Sequence, residues 1–162
     1  MKDDDLVIRS AAEADVPELS RMLAALSAEI GYESPAANDA AALARHGFGA
    51  RPLFDALIAE RGGWALGLAV YFPEFSTLRR RPGVYLQDLY LAPEARGLGL
   101  GRRLIAAVLH QAAAWEAVYL RLAVHDDNRD ALAFYRRLGF RTDPNERAYW
   151  VEGTALEELV GT

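Results

Sequence analysis

Cysteine is absent from the chain, and that absence removes disulfides, thiolate metal centres and cysteine nucleophiles together. Positive charge is in deficit: 18 Lys and Arg stand against 23 Asp and Glu, a formal net charge of −5. A chain so balanced has no general basic face for neutralising nucleic-acid phosphates, so no nucleic-acid partner is expected. No apolar run is long enough to cross a bilayer, and no membrane partner is expected either. The chain starts acidic with no apolar stretch behind it, which argues against a secretory leader. Repeats, linkers and low-complexity segments are also missing. What remains is an ordinary globular composition, 52% hydrophobic and 25% charged over 162 residues, enough for one sizeable core and short for two. The expectation is a cytoplasmic protein with a frayed acidic start over residues 1–5 and a single domain over residues 6–162.

The periodicities give an order of elements. Leu6 to Ala11 reads as a strand. A helix follows behind Asp15 as N-cap, with Val16, Leu19, Leu23, Leu26 and Ile30 on one stripe and Gly31 closing it. "SPAAND" is a turn, and "AAALARHG" a short helix that Gly47 stops. "PLFDALIAE" and "WALGLAVYF", flanking "RGG", read as a hairpin. "STLRRRPG" is a polar loop whose arginines, Arg79 to Arg81, serve solubility more readily than a phosphate. "VYLQDLYLAP" alternates, with Tyr85, Gln87, Leu89 and Leu91 on one side of the pleat and Leu86, Asp88 and Tyr90 on the other. Leu100 to Trp115 is a helix burying Leu104, Ile105, Val108 and Ala112. "VYLRLAV" is a strand, "NRDALAFYRRLG" a helix ended by Gly139, "RAYWVE" a closing strand and "TALEELV" a last helical stretch. Early hairpins followed by strand–helix–strand units indicate one α/β domain with a mixed sheet.

Between the alternating strand and the long helix lies "ARGLGLG" (Ala95 to Gly101). Glycine loses more conformational freedom on folding than any other residue, so three at alternate positions need a reason. A helix N-terminus offers unpaired N–H groups and partial positive charge, and glycines let an anion approach them. The spacing is neither the Gly-Lys-Ser/Thr phosphate loop nor G-x-G-x-x-G. On this ground alone an anion site and a tight packing turn both stand.

Read as Arg96-x-x-Gly99-x-Gly101, the loop resembles the acyl-CoA diphosphate motif of the GNAT N-acetyltransferase superfamily, and "NRDALAFYRRLGF" (Asn128 to Phe140) is similar to its second signature. Together with "VIRSAAEADVPEL" and "HGFGARPLFDALIAE", these stretches resemble the spermidine/spermine branch, which includes acetylases of thialysine and other amines. The resemblance implies a mixed sheet of six or seven strands, splayed in the middle where the pantetheine arm lies, with helices on both faces. It implies acetyl-CoA as the acyl donor, a small-molecule amine as acceptor, and a homodimer.

By that resemblance Arg96, Gly97, Leu98, Gly99, Leu100, Gly101 and Arg102 hold the diphosphate, mostly through main-chain N–H. Leu89, Tyr90 and Leu91 offer backbone groups to the pantetheine and the thioester oxygen, a donor aimed at developing negative charge. Asn128 and Asp130 complete the cofactor set. Tyr135 is the acid that protonates the departing thiolate, and a phenol with pKa near 10 is a neutral donor suited to that task. On the acceptor side Glu29, Gln87, Asp88 and Glu146 are the candidates. Relatives often carry Glu where Gln87 stands, and an amide is no base, so deprotonation of the amine passes to water, to Asp88 or to another group. His125 ends a strand and reads as a surface residue. No spacing of His, Asp and Glu suggests a metal. A protein or peptide acetyltransferase and a non-catalytic acyl-CoA-binding module are the alternatives.

Overall fold

The computed structural model describes residues 5–32 and 39–161; Asp3 and Asp4 of the acidic start, and most of the "SPAAND" turn, lie outside them. The chain divides into two compact units, Met1–Asn128 and Arg129–Thr162.

The first unit holds five strands, β1 (Leu6–Ser10), β2 (Asp55–Arg61), β3 (Trp64–Ser76), β4 (Arg81–Leu91) and β5 (Leu120–Arg121), with α1 (Val16–Glu29), α2 (Ala40–Phe48) and α3 (Leu100–Ala112). The strands lie in sequence order. β1 to β4 are antiparallel neighbours, and β5 joins β4 in parallel. The sheet is therefore mixed, as expected, but it has five strands among the described residues where six or seven were expected. The shortfall has two sources. "VYLRLAV" finds a partner only at Leu120 and Arg121. "RAYWVE" forms no strand, and Tyr149 and Trp150 remain exposed. Alternation of apolar residues marks a segment that can pair, but a ladder needs a neighbour at hydrogen-bonding distance.

Two cores follow from the pleat, since successive strand residues point to opposite faces. On one face Ala56, Ile58, Leu68, Val70 and Tyr90 pack with Leu19 and Met22 of α1, and Leu23, Leu26 and Phe48 close the edges. On the other face Leu57, Ala59 and Ala69 are buried beneath α3, whose Leu100, Leu104, Ile105, Val108 and Ala112 are its buried stripe. Ile30, placed on the stripe of α1 by its spacing, lies beyond the helix and is 37% exposed.

Local chemistry differs from the simplest reading at three points. Asp15 stands before α1 but does not cap it. Its carboxylate accepts from the Ala12 N–H at 2.8 Å and from Nη1 and Nη2 of Arg9 at 2.7 and 2.8 Å, and those bonds hold it below the usual carboxylate range. Gly47 does not end α2, which runs on to Phe48; a Cβ at Gly47 would meet the Phe54 ring at 2.5 Å, so this glycine makes room. The arginine loop is shorter than its polarity suggests, because β3 reaches Ser76 and β4 starts at Arg81. Arg79 sits over the Tyr119 ring at 5.0 Å and Arg121 over Tyr85 at 5.4 Å, while Glu74 accepts from Tyr119 Oη and Arg121 Nε, each at 2.9 Å.

The second unit contains α4 (Arg129–Arg137) and α5 (Gly153–Val160). α4 ends at Gly139, in the left-handed region with φ of 90°. The Gly139 N–H donates to the Arg136 carbonyl at 3.0 Å and the Phe140 N–H to the Tyr135 carbonyl at 3.1 Å, a Schellman cap.

Gly67 of β3 lies opposite Leu91, and a Cβ there would fall 2.8 Å from both the Tyr90 carbonyl oxygen and Leu91 Cδ2. Backbone cannot yield as a side-chain tip does, so Gly67→Ala is expected to destabilise the protein by about 1–3 kcal/mol, read as a lowered urea midpoint at unchanged m-value.

Candidate active site

β4 is where the site begins. The Ala92 N–H donates to the Leu66 carbonyl at 2.8 Å, and Leu91 lies opposite Gly67, Tyr90 opposite Leu68 and Leu89 opposite Ala69. Antiparallel ladders alternate hydrogen-bonded and non-hydrogen-bonded pairs. Positions 92, 90 and 88 therefore bond towards β3, and positions 91 and 89 turn their backbone groups to the opposite edge. That edge is largely open, because β5 pairs only with Val84 and Tyr85. From Leu86 to Leu91 no strand pairs with that edge of β4 among the described residues. The Leu89 N–H and carbonyl face this unpaired edge, where the sheet was expected to splay.

The register of β4 also breaks. Val70 pairs with Asp88 but Tyr71 pairs with Leu86, so Gln87 is the extra residue of a β-bulge. The bulge overturns the simple alternation: Leu86 shares the face of Tyr71, and Asp88 shares the α1–α2 face of Val70 and Tyr90. Gln87 itself is exposed. The Tyr90 side chain is buried in the core under α1 and its backbone groups bond towards β3 opposite Leu68, so Tyr90, expected among the cofactor residues, offers no free group at the open edge.

The glycine loop follows directly. One helical turn, Pro93–Ala95, leads to Arg96, and Gly97 and Gly99 take φ of 74° and 78°. A Cβ at either would meet nothing within 4 Å, so the requirement there is the left-handed backbone and not space. α3 opens at Leu100, and its first internal bond runs from the Arg103 N–H to the Gly99 carbonyl at 3.2 Å. The N–H groups of Leu100, Gly101 and Arg102 thus precede the helical ladder. Leu100 and Gly101 are buried, Leu98 is 56% exposed, and Arg102 is exposed at the helix mouth. Such amides at the positive end of a 13-residue helix suit a doubly charged anion.

Arg96 is engaged elsewhere. Its Nε and Nη2 donate to the Leu91 carbonyl at 3.0 and 2.9 Å, and Nη2 donates to Glu29 Oε1 at 2.5 Å. The structure so joins the end of α1 to the loop and brings two candidates into one ion pair. Arg79 to Arg81 stand at the far end of β4, and ten residue steps at about 3.3 Å each separate Arg81 from Leu91. That exceeds several screening lengths, so they do not serve an anion on the loop.

Residues 21–140 match the Acetyltransferase (GNAT) family. The chain belongs to the GNAT acetyltransferases. It is 34% identical to a thialysine N-epsilon-acetyltransferase of Sus scrofa, over 96% of this chain and 98% of that one. It is equally 34% identical to the Mus musculus protein of the same name, over 95% and 96%. An integron cassette protein from the mobile metagenome of V. cholerae has the same fold, with TM-score 0.83 at 22% identity, covering 98% of this chain and 99% of that one.

In this GNAT acetyltransferase Asp88 has the most altered environment of the acceptor candidates. Burial alone pushes its carboxyl up to about 6, since removal from water disfavours the charged form. No hydrogen bond or ion pair to the Asp88 carboxylate is present among the described residues. Glu146 is exposed in the second unit, where its N–H donates to the Asp143 carbonyl at 3.4 Å. Asn128 closes the first unit with its N–H on the His125 carbonyl at 3.0 Å, and His125 is exposed. Asp130 lies in the first turn of α4.

Tyr135 sits near the end of α4, its ring edge-on to Phe134 at 5.1 Å and to Phe140 at 5.3 Å. Phe140 occupies the position of the Schellman cap whose side chain returns onto the last helical turn. Gly139 and Phe140 therefore orient the phenol. The glycine was legible as a helix stop, but the contact of Phe140 with Tyr135 was not drawn from the sequence. No group of three or more metal-ligating side chains gathers among the described residues.

Asp88 carries a testable cost. Its native pKa is raised, so the folded protein holds this proton up to about pH 6 while the unfolded chain releases it near 4, and stability falls as pH rises between the two and stays lower above. Asp88→Asn removes the charge and keeps the shape. It is expected to stabilise the protein by up to about 3 kcal/mol at pH 7.5 and by nothing measurable near pH 4, read from urea unfolding at both pH values.

Proposed function

We propose that this enzyme transfers the acetyl group of acetyl-CoA to the primary amine of a small molecule, a diamine, polyamine or lysine-like amino acid, by direct attack with both substrates bound. The observation that carries the reading is the open edge of β4 running into a glycine loop whose amides precede α3. The names of the relatives support the amine class. The residues fit the donor: an extended chain with amide groups matches an unpaired strand edge, and a diphosphate matches the helix mouth.

Acetyl-CoA supplies an activated thioester, and this chain's residues supply the rest. The N–H groups from Gly97 to Arg102 hold the diphosphate, with Arg102 adding charge at the rim. The Leu89 backbone groups and the Leu91 N–H orient the pantetheine, and the Leu89 N–H meets the charge that grows on the thioester oxygen. Asn128 and Asp130 complete the cofactor set as proposed ligands. Tyr135 delivers its phenolic proton to the leaving sulfur; the match of residues 128–140 to the second signature supports this, as does the cap that orients the ring. Glu29, Gln87, Asp88 and Glu146 are assigned to the acceptor. Residues 6–162 are read as one catalytic domain, in a cytoplasmic homodimer; the exposed Tyr149 and Trp150 provide apolar surface that a second copy would cover.

Thiol release from acetyl-CoA, measured against diamines, polyamines, lysine analogues and peptides, tests the reading. Turnover with a small amine is the expected result. Turnover with peptides alone, or CoA binding without turnover, would replace it with a protein acetyltransferase or a binding module. Tyr135→Phe is expected to lower kcat by about 100-fold while the Kd for CoA stays within about twofold; unchanged kcat would remove the acid role.

A further inference from the structure

We propose that Asp88 is the general base of this enzyme, taking a proton from the acceptor's ammonium group through at most one water. The inference rests on the amine-acetylation reading above and adds a residue to it.

Four observations converge. An amine with an ordinary pKa near 10 arrives protonated at pH 7 and has no lone pair for attack until it loses a proton. The residue beside Asp88 on the strand, Gln87, is an amide and cannot accept that proton. The bulge at Gln87 turns Asp88 to the α1–α2 face, while the next residue, Leu89, presents its N–H to the open edge. A carboxylate on one face of β4 and an N–H at its open edge therefore belong to consecutive residues, Asp88 and Leu89. Finally, the half-buried Asp88 carboxylate has no side-chain hydrogen bond or ion pair among the described residues. A carboxylate partly removed from water without a partner is held at a cost, and groups whose titration is shifted in this way cluster at functional sites.

The other charges on the elements packed on this face are engaged. Glu18 and Arg21 of α1 pair with each other, Glu29 pairs with Arg96, Arg9 of β1 pairs with Glu60 of β2, and Arg45 of α2 donates to His46. None of them contributes to the titration of Asp88, which burial alone moves. A carboxylate poised near pH 6 is a stronger base than an ordinary one and is still ionised at pH 7.

The step balances. One ammonium proton passes to the Asp88 carboxylate, and the freed nitrogen lone pair forms the C–N bond. The C–S bond breaks with its electron pair on sulfur. A second nitrogen proton is lost as the amide forms, matching the one delivered to the thiolate by the acid assigned above. Asp88 then releases its proton to solvent, and the net products are the N-acetyl compound, CoA thiol and one proton.

The test is the pH profile of kcat/KM for two amines, one strongly basic and one mostly neutral at assay pH, in the native enzyme and in Asp88→Asn. The native enzyme should lose activity below about pH 6. Asp88→Asn should lose about 100-fold or more with the basic amine and much less with the neutral one, while its Kd for CoA stays within about twofold. A structural role would lower both amines equally, and that result overturns the proposal, as does an Asp88→Asn rate within about threefold of native on the basic amine. If Asp88→Asn fails to fold by circular dichroism, Asp88→Glu decides: a displaced acid limb supports Asp88, and an unmoved one overturns it. A native enzyme that acetylates no amine sinks the amine reading itself, and the base with it; native turnover with an indifferent variant sinks the base alone.

Discussion

The parting of β4 from β5 is the constraint on which the rest depends. Parallel pairing covers only Val84 and Tyr85, and beyond it the strand keeps its bonds to β3 while its other edge opens. An exposed strand edge is ordinarily a hazard, because its free N–H and carbonyl groups invite pairing with another chain. In the reading proposed above, the unpaired edge becomes a slot for one extended ligand. The bulge at Gln87 lies at the same place, and it is what lets one short stretch of backbone serve two faces. Leu89 addresses the slot and Asp88 addresses the face under α1 and α2.

A second device sits at the end of that strand. β4 feeds through a single helical turn and the glycine loop into α3, so the open edge and the positive end of a helix are close together in the chain. Arg96 fastens the junction by holding the Leu91 carbonyl and Glu29 at once. A side chain expected to meet phosphate therefore also holds the geometry of the loop. In the proposed function the electrostatic work falls mainly on main-chain amides, which cannot swing away, and preorganised donors of that kind need no rearrangement when charge arrives.

Much of this was legible in the chain. The glycine loop, the buried stripe of α3, the hairpin of β2 and β3 and the stop at Gly139 all follow from patterns within a dozen residues, because caps, turns and amphipathic stripes are satisfied locally. The exceptions share a cause. "VYLRLAV" and "RAYWVE" alternate as strands do, yet pairing depends on a distant partner. Asp15 looked like a cap until Arg9 and Ala12 claimed its carboxylate. Gly47 read as punctuation because the Phe54 ring that demands a glycine there is not visible in the sequence around it.

For the site, the division runs along the same line. Family membership, the glycine loop at the mouth of α3 and the candidacy of Tyr135 were determined by residue identities at short spacings, since a helix mouth and its glycines are built from one continuous segment. The faces of β4, the engagement of Glu29 by Arg96 and the isolation of Asp88 were decided by tertiary structure alone. A bulge is a mismatch between two strands, an ion pair joins residues far apart in the chain, and burial is a property of everything packed around a group. None of these is carried by the residue itself.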